Sequence, residues 1–317
     1  IGGHRYFPDD LTLNDLTEAR RQMDGYITKI YDNGKRINTS KYLTEELSDN
    51  AVKFVDDNSE NPFFLYLSYN APHTPLQATE KDLARNMHIE EENRRTYAAM
   101  VTSMDDGIGL ILDKLEEKKI SDNTIVIFFS DNGGVEWYNY SDNGELRGIK
   151  GDFFEGGIRV PFVMQWPDLL PAGLTYDNPI IALDIFATAA SVANAEQYIK
   201  SDIDGVNLIP YILGQKDDLP HDYLYWQNRD KDIDVIRGER YKYLRMGDEE
   251  FIFDLKNDIS EENNLIDISK NIYDEYKFKF KEWEKDMIDP VFLDLGSGKE
   301  YNKLHPDRWH NSNPERQ

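Results

Sequence analysis

Apolar and polar positions follow two rhythms along this chain. Leu47, Ala51, Phe54 and Val55 recur at helical spacing behind Glu45 and Glu46. Those two acids fall at the positive end of a helix dipole, with Thr44 as the expected N-cap. Over 91–118, Tyr97, Met100, Val101, Met104, Ile108, Ile111, Leu112 and Leu115 recur at three- and four-residue steps, which predicts one long helix. Its methionines read as core. Two runs, 63–69 and 124–129, are apolar on both faces, as buried strands of an α/β sheet are. Strand, helix, strand in that order predicts a crossover unit of a parallel or mostly parallel sheet. Residues 161–166 add a strand, Asp184 is the expected cap of a helix through Ala193, and Asp32-Asn33-Gly34 predicts a hairpin turn.

Beyond about Gly214 the pattern shortens. Segments 223–226, 234–237, 241–245 and 251–253 read as strands at hairpin spacing. A helix follows, with Ile272, Tyr276, Phe280, Trp283 and Met287 on its apolar side. The expected fold class is therefore α/β. A mixed, mostly parallel central sheet flanked by helices fills 1–215, and a small antiparallel α+β subdomain with an extended tail fills 216–317.

Composition narrows the function. The chain has 317 residues, 36 Lys and Arg against 60 Asp and Glu, and a net charge of −24. That charge argues against nucleic acid or an anionic membrane surface as a partner. No apolar run reaches the roughly 20 residues of a membrane span. The absence of cysteine excludes a disulfide scaffold, a thiolate metal site and a cysteine nucleophile within these residues.

Three segments can carry chemistry. Asp131-Asn132 directly follows a predicted strand, and in α/β sheets function gathers at the carboxyl ends of strands. The pair is either a turn or two hard oxygen ligands suited to calcium or magnesium. His73 lies in a Pro-His-Thr-Pro loop, either idle or set to bind an anion or protonate a leaving group. Between Leu146 and Pro161, Arg147, Lys150 and Arg159 stand among Gly148, Gly151, Gly156 and Gly157. Cations among glycines in so acidic a chain suggest an anion pocket, with a solvated hairpin as the plain alternative. His4, His88, His221, His305 and His310 are scattered and read as structural or exposed.

Taken in order, Ala71-Pro-His-Thr-Pro75, Phe129-Ser-Asp-Asn-Gly-Gly134, Leu146-Arg-Gly-Ile-Lys150 and Glu155-Gly-Gly-Ile-Arg-Val-Pro161 resemble the type I, formylglycine-dependent sulfatases of the alkaline-phosphatase superfamily. Flanking segments, among them Arg237-Gly-Glu-Arg-Tyr-Lys242, resemble bacterial members too. The resemblance implies an alkaline-phosphatase-like fold and hydrolysis of a sulfate ester, with a sulfated carbohydrate as the expected substrate. It implies His73 and Lys150 as catalytic and sulfate-binding residues, Arg147 as a further substrate contact, and Asp131 and Asn132 as half of a calcium site, with magnesium the second choice. Glu155 and Arg159 would brace the loop. Family habit implies a periplasmic or secreted location.

The departures are as specific. Family members carry paired aspartates and a C/S-x-P-x-R motif, whose first residue becomes formylglycine, ahead of the histidine loop. Neither precedes His73 here. Ser312-Asn-Pro-Glu-Arg316 fits the motif only at the far end and reads as coincidence. The expectation is a chain matching the carboxyl-terminal two thirds of a sulfatase, inactive alone, with the nucleophile outside it. A phosphodiesterase or phosphonate hydrolase of the same superfamily, and a non-catalytic remnant that binds sulfated glycans, are the competing readings.

Overall fold

The computed structural model describes residues 6–7, 30–37, 39–199, 203–229 and 231–288. These fall into two compact units. Unit 1 draws on 1–144, 149–152 and 156–172, and unit 2 on 145–148, 153–155 and 173–317.

Unit 1 opens with a hairpin, β1 (Ile30–Asp32) and β2 (Lys35–Ile37), turning at Asn33 and Gly34, both at positive φ as expected for this pair. Helix α1 (Leu43–Asn58) buries Ala51 and Val55 as its spacing predicts. Its start differs from expectation: Tyr42 is the N-cap residue, and Thr44 is a buried second residue that caps nothing. Glu46 instead accepts from the Ser40 amide and hydroxyl, which pins the preceding chain. After the short α2 (Glu80–Arg85) comes α3 (Glu92–Glu117), where the Glu91 carboxylate caps the Asn93 and Arg94 amides. Met100 and Met104 of α3 pack with Tyr6, Tyr42, Leu43 and Ala71 in one core.

The sheet of unit 1 is smaller than its pattern suggests. Strands β3 (Val126–Phe129) and β4 (Phe162–Gln165) form an antiparallel two-stranded ladder. Residues 63–69 join no ladder among the described residues, so the doubly buried strand expected there is not observed. Phe63, Leu65, Leu67 and Tyr69 are half-buried, while Phe64 and Tyr66 are 71% and 72% exposed. An extended run alternates its side chains in this way, and a face with nothing packed on it stays open. Between β3 and β4 in the chain fall the one-turn helices α4 (Glu136–Asn139) and α5 (Glu155–Ile158).

Unit 2 contains α6 (Asp184–Val192), α7 (Ile209–Ile212) and a four-stranded antiparallel meander. The meander runs β5 (Leu224–Asn228), β6 (Ile233–Arg237), β7 (Tyr241–Met246) and β8 (Glu249–Asp254). Helix α8 (Lys270–Glu284) lays Tyr276 and Phe280 on Ile236, Tyr243 and Ile252. Met287 lies beyond the helix end and is exposed, so it does not extend the apolar side. Asp184 does not cap its own helix either. Its fully buried carboxylate accepts from the Ile181 amide (2.8 Å), the Val206 amide (2.9 Å) and His221 Nε2 (2.8 Å), tying three segments of unit 2 together. The fold class holds, as helices and sheets with an antiparallel carboxyl-terminal sheet. Every ladder among the described residues is antiparallel.

Candidate active site

The sequence-selected residues of unit 1 come from three loops. His73 sits in the turn after the 63–69 run, closed by a hydrogen bond from the His73 amide to the Asn70 carbonyl (2.8 Å). Both prolines of this turn, Pro72 and Pro75, follow cis peptide bonds. The imidazole Nδ1 lies 2.7 Å from the Thr74 carbonyl oxygen. A carbonyl only accepts, so Nδ1 carries the proton and Nε2 is the nitrogen left for chemistry. Nε2 lies 3.5 Å from Lys150 Nζ, a residue 77 positions away. The imidazole is half-buried and the lysine exposed, which leaves the ammonium open to an incoming anion.

Lys150 is held by a small turn. The Ile149 amide donates to the Asp152 carboxylate (3.1 Å), and the Asp152 amide donates back to the Ile149 carbonyl (2.9 Å). Gly157 lies against that turn so closely that a Cβ would overlap the Ile149 and Asp152 carbonyl oxygens. The loop after β3 comes as near: Gly133 donates its amide to the Gly157 carbonyl (3.1 Å), and a Cβ on Gly133 would overlap the Gly156 carbonyl. Backbone packing at these glycines therefore places the Asp131-Asn132 loop beside the loop that carries Lys150. Ser130 Oγ donates to the Asn132 carbonyl (2.9 Å) and fixes the bend.

Asp131 and Asn132 supply oxygens of the right chemistry for calcium. Among the described residues their side chains have no hydrogen-bond partner, and no group of three or more His, Cys, Asp or Glu could hold a metal. Calcium takes six to eight oxygens, so the pair fits part of such a shell and cannot fill it.

Arg147 belongs to unit 2. Its guanidinium lies 4.1 Å over the Phe154 ring, and Nη1 donates to the Glu261 carbonyl (2.7 Å). Unit 2 also holds a charge cluster that the residue pattern does not announce. Lys242 is fully buried, 3.1 Å from Glu155 and 2.8 Å from Glu261. Arg237 stands 3.9 Å from Glu155. Burial pushes the Glu261 carboxyl above its usual range, against the pull of Lys242. Its other oxygen accepts from the Glu155 amide (2.6 Å), and the residue takes φ +54°, a left-handed conformation costly for any side chain but glycine. Glu155 was expected to brace its loop, and these are its partners. No hydropathy signal marks Lys242 as buried, because the lysine needs two acids that are remote in sequence. His221, read as structural or exposed, is structural through Asp184, and His88 is exposed. His4, His305, His310 and the 312–316 motif lie outside the described residues.

The structure thus brings an imidazole with one tethered nitrogen and a lysine beside its other nitrogen together from two loops 77 residues apart. The sulfatase family model matches residues 4–195, more than half of the chain, and this chain belongs to the sulfatase family. A second model, that of the N-sulphoglucosamine sulphohydrolase carboxyl-terminal region, matches 150–286. The uncharacterized sulfatase YdeN of Escherichia coli (strain K12) is 34% identical over 200 residues, covering 62% of this chain and 36% of its own length. Human steryl-sulfatase is 34% identical over 190 residues, covering 58% of this chain and 32% of its own. The chain thus spans about a third of the length of these relatives. The crystal structure of Ps i-CgsB in complex with k-i-k-neocarrahexaose superposes with a TM-score of 0.82 at 33% identity, over 98% of this chain and 71% of that one. PsFucS1 sulfatase from Pseudoalteromonas sp. shares the fold, with a TM-score of 0.72 at 21% identity. Among the described residues no helix is long and apolar enough to cross a membrane.

Proposed function

We propose that this chain contributes the sulfate-holding half of a sulfatase site that hydrolyses a sulfate ester on a carbohydrate. The observation that carries this reading is the 3.5 Å approach of Lys150 Nζ to His73 Nε2, with His73 Nδ1 tethered to Thr74. The likeness to a structure that holds k-i-k-neocarrahexaose supports a carbohydrate substrate.

The chemistry follows from the two nitrogens. Lys150 brings an ammonium to a sulfate oxygen, and its exposure allows the anion to reach it. At short range that ammonium works against the repulsion of a chain of charge −24. Cleavage of the sulfur–oxygen ester bond leaves an alkoxide that needs a proton. With both nitrogens at the same sulfate ester, a proton on Lys150 Nζ, or on Nε2 of a protonated His73, would pass to that oxygen. Asp131 and Asn132 would hold part of a calcium shell; calcium, when bound, polarises sulfate oxygens. Arg147, a further substrate contact by the family resemblance, is held within unit 2 by Phe154 and the Glu261 carbonyl. A formylglycine nucleophile and the further calcium oxygens have no counterpart among the described residues. The family resemblance supports a periplasmic or secreted location.

The test is sulfate release from a sulfated oligosaccharide by a protein that carries these residues together with a nucleophile segment. Lys150→Ala is expected to lower kcat/KM by about a hundredfold or more, the range for loss of a positioned charge or proton donor. Near-wild-type release would remove Lys150 from the site. Faster release of phosphate from a matched ester would favour the phosphodiesterase reading.

A further inference from the structure

The His73 loop is held from below by a residue with no apparent task. Tyr6 is fully buried. Its hydroxyl lies 2.8 Å from the Asn70 carbonyl and 2.7 Å from the His73 carbonyl, the two ends of the turn that carries the imidazole. The rest of Tyr6 is fixed as firmly. Its amide donates to Gln77 Oε1 (2.8 Å), its carbonyl accepts from the Leu43 amide at the start of α1 (2.6 Å), and its ring stacks on Tyr42 at 5.5 Å. Burial pushes the Tyr6 hydroxyl far above the usual tyrosine range, so it keeps its one proton, which the two carbonyls share.

We propose that Tyr6 is a positioning residue for His73: its buried hydroxyl clamps the 70–73 turn so that Nδ1 meets the Thr74 carbonyl and Nε2 faces Lys150. This rests on the reading of His73 and Lys150 as a sulfate site. The geometry argues for it because both acceptors are backbone carbonyls of the loop. Removing the hydroxyl leaves the His73 carbonyl short of its donor and frees the turn to shift. A shift of a few tenths of an ångström at the carbonyl swings the imidazole at the end of its side chain. The Nδ1 contact at 2.7 Å and the Nε2 approach at 3.5 Å then fail together.

The experiment uses the ¹⁵N-labelled 317-residue chain and inorganic sulfate as the probe. Imidazole ¹⁵N spectra read the His73 tautomer, and a sulfate titration reads the affinity. In the wild type, neutral His73 is expected as the Nδ1–H form, with Nε2 moving on addition of sulfate. Tyr6→Phe is expected to give mixed tautomers and sulfate binding weaker by about tenfold. Gln77→Leu keeps the hydroxyl but unties the Tyr6 amide, and is expected to shift both readouts in the same direction by about threefold. Leu115→Ala, a core truncation in α3 outside the Tyr6 cluster, is the control for lowered stability and should leave tautomer and affinity as in the wild type. A folded Tyr6→Phe with wild-type tautomer and affinity overturns the proposal. If Tyr6→Phe does not fold, a wild-type result for Gln77→Leu overturns it instead. If sulfate leaves the wild-type His73 signals unmoved, the anion-site reading fails, and the tautomer comparison still decides the role of Tyr6.

Discussion

In the four-stranded sheet of unit 2, Ile236, Tyr243 and Ile252 lie under α8, while Val235, Leu244 and Phe253 pack with Phe154 and Leu255 in a second cluster. In the β3–β4 ladder of unit 1, Phe128 and Val163 are register partners and stand 36% and 61% exposed, with Phe64 and Tyr66 also open. The residues on the two sheets are alike in hydrophobicity and differ in what covers them. Covered apolar area stabilises at about 25 cal/mol per Å², and open area contributes nothing. Unit 2 therefore concentrates its stability in a sheet closed on both faces. Unit 1 places its candidate chemistry on turns held by hydrogen bonds and glycine contacts beside a sheet that is covered less.

That contrast can be broken at several points. Lys242→Met leaves the buried Glu261 without its cation and is expected to destabilise the chain by about 3–5 kcal/mol in urea unfolding. Adding Glu261→Leu should recover part of the loss, because an apolar pair tolerates burial better than one unpaired charge. Phe280→Ala removes a fully buried ring from the α8 face and is expected to cost about 3–5 kcal/mol by the same measurement. A loss below about 1 kcal/mol would mean the sheet is less closed than described.

Asp254 gives a smaller effect with a defined sign. Hydrogen bonds from Arg240 hold its carboxyl down to about 2, against about 3.9 in an unfolded chain. A depressed carboxyl contributes stability that is full above the unfolded value and fades as pH falls toward the folded one. Stability is thus expected to drop between about pH 4 and pH 2, less steeply in Asp254→Asn, as read from urea midpoints across that window. Smallest is Val163→Thr on the open ladder face, expected within about 0.5 kcal/mol of wild type. A cost of several times that would show the face to be packed.

Much of unit 2 was legible because its strands alternate, its turns fall at hairpin spacing and α8 shows a helical stripe. The long α3 was legible to within a residue at each end, since Tyr97 to Leu115 keep one period over about five turns' worth of chain. The 63–69 run misled. A run that is apolar at every position looks doubly buried, but burial depends on partners the run does not contain. Thr44 and Asp184 misled for a related reason: each matches a cap by type, yet Asp184 is drawn to Val206 and His221, which lie far off in sequence. Within the site, His73, Lys150 and the Asp131-Asn132 turn stood out by their glycines, prolines and charges. Tyr6 did not. One tyrosine among nineteen carries no local mark, and its role rests on reaching two carbonyls 64 and 67 residues away.

The most direct test of the central claim is leaving-group dependence. In a protein carrying these residues with a nucleophile segment, His73→Ala and Lys150→Ala would be compared on 4-nitrophenyl sulfate and on an alkyl sulfate ester. Nitrophenolate leaves without help, and an alkoxide needs a proton. If the pair both holds sulfate and protonates the leaving oxygen, both variants lose activity on both esters, and the loss is larger by about tenfold or more on the alkyl ester. Equal losses on the two esters would contradict proton delivery by this pair, and undiminished activity on both would contradict the site itself.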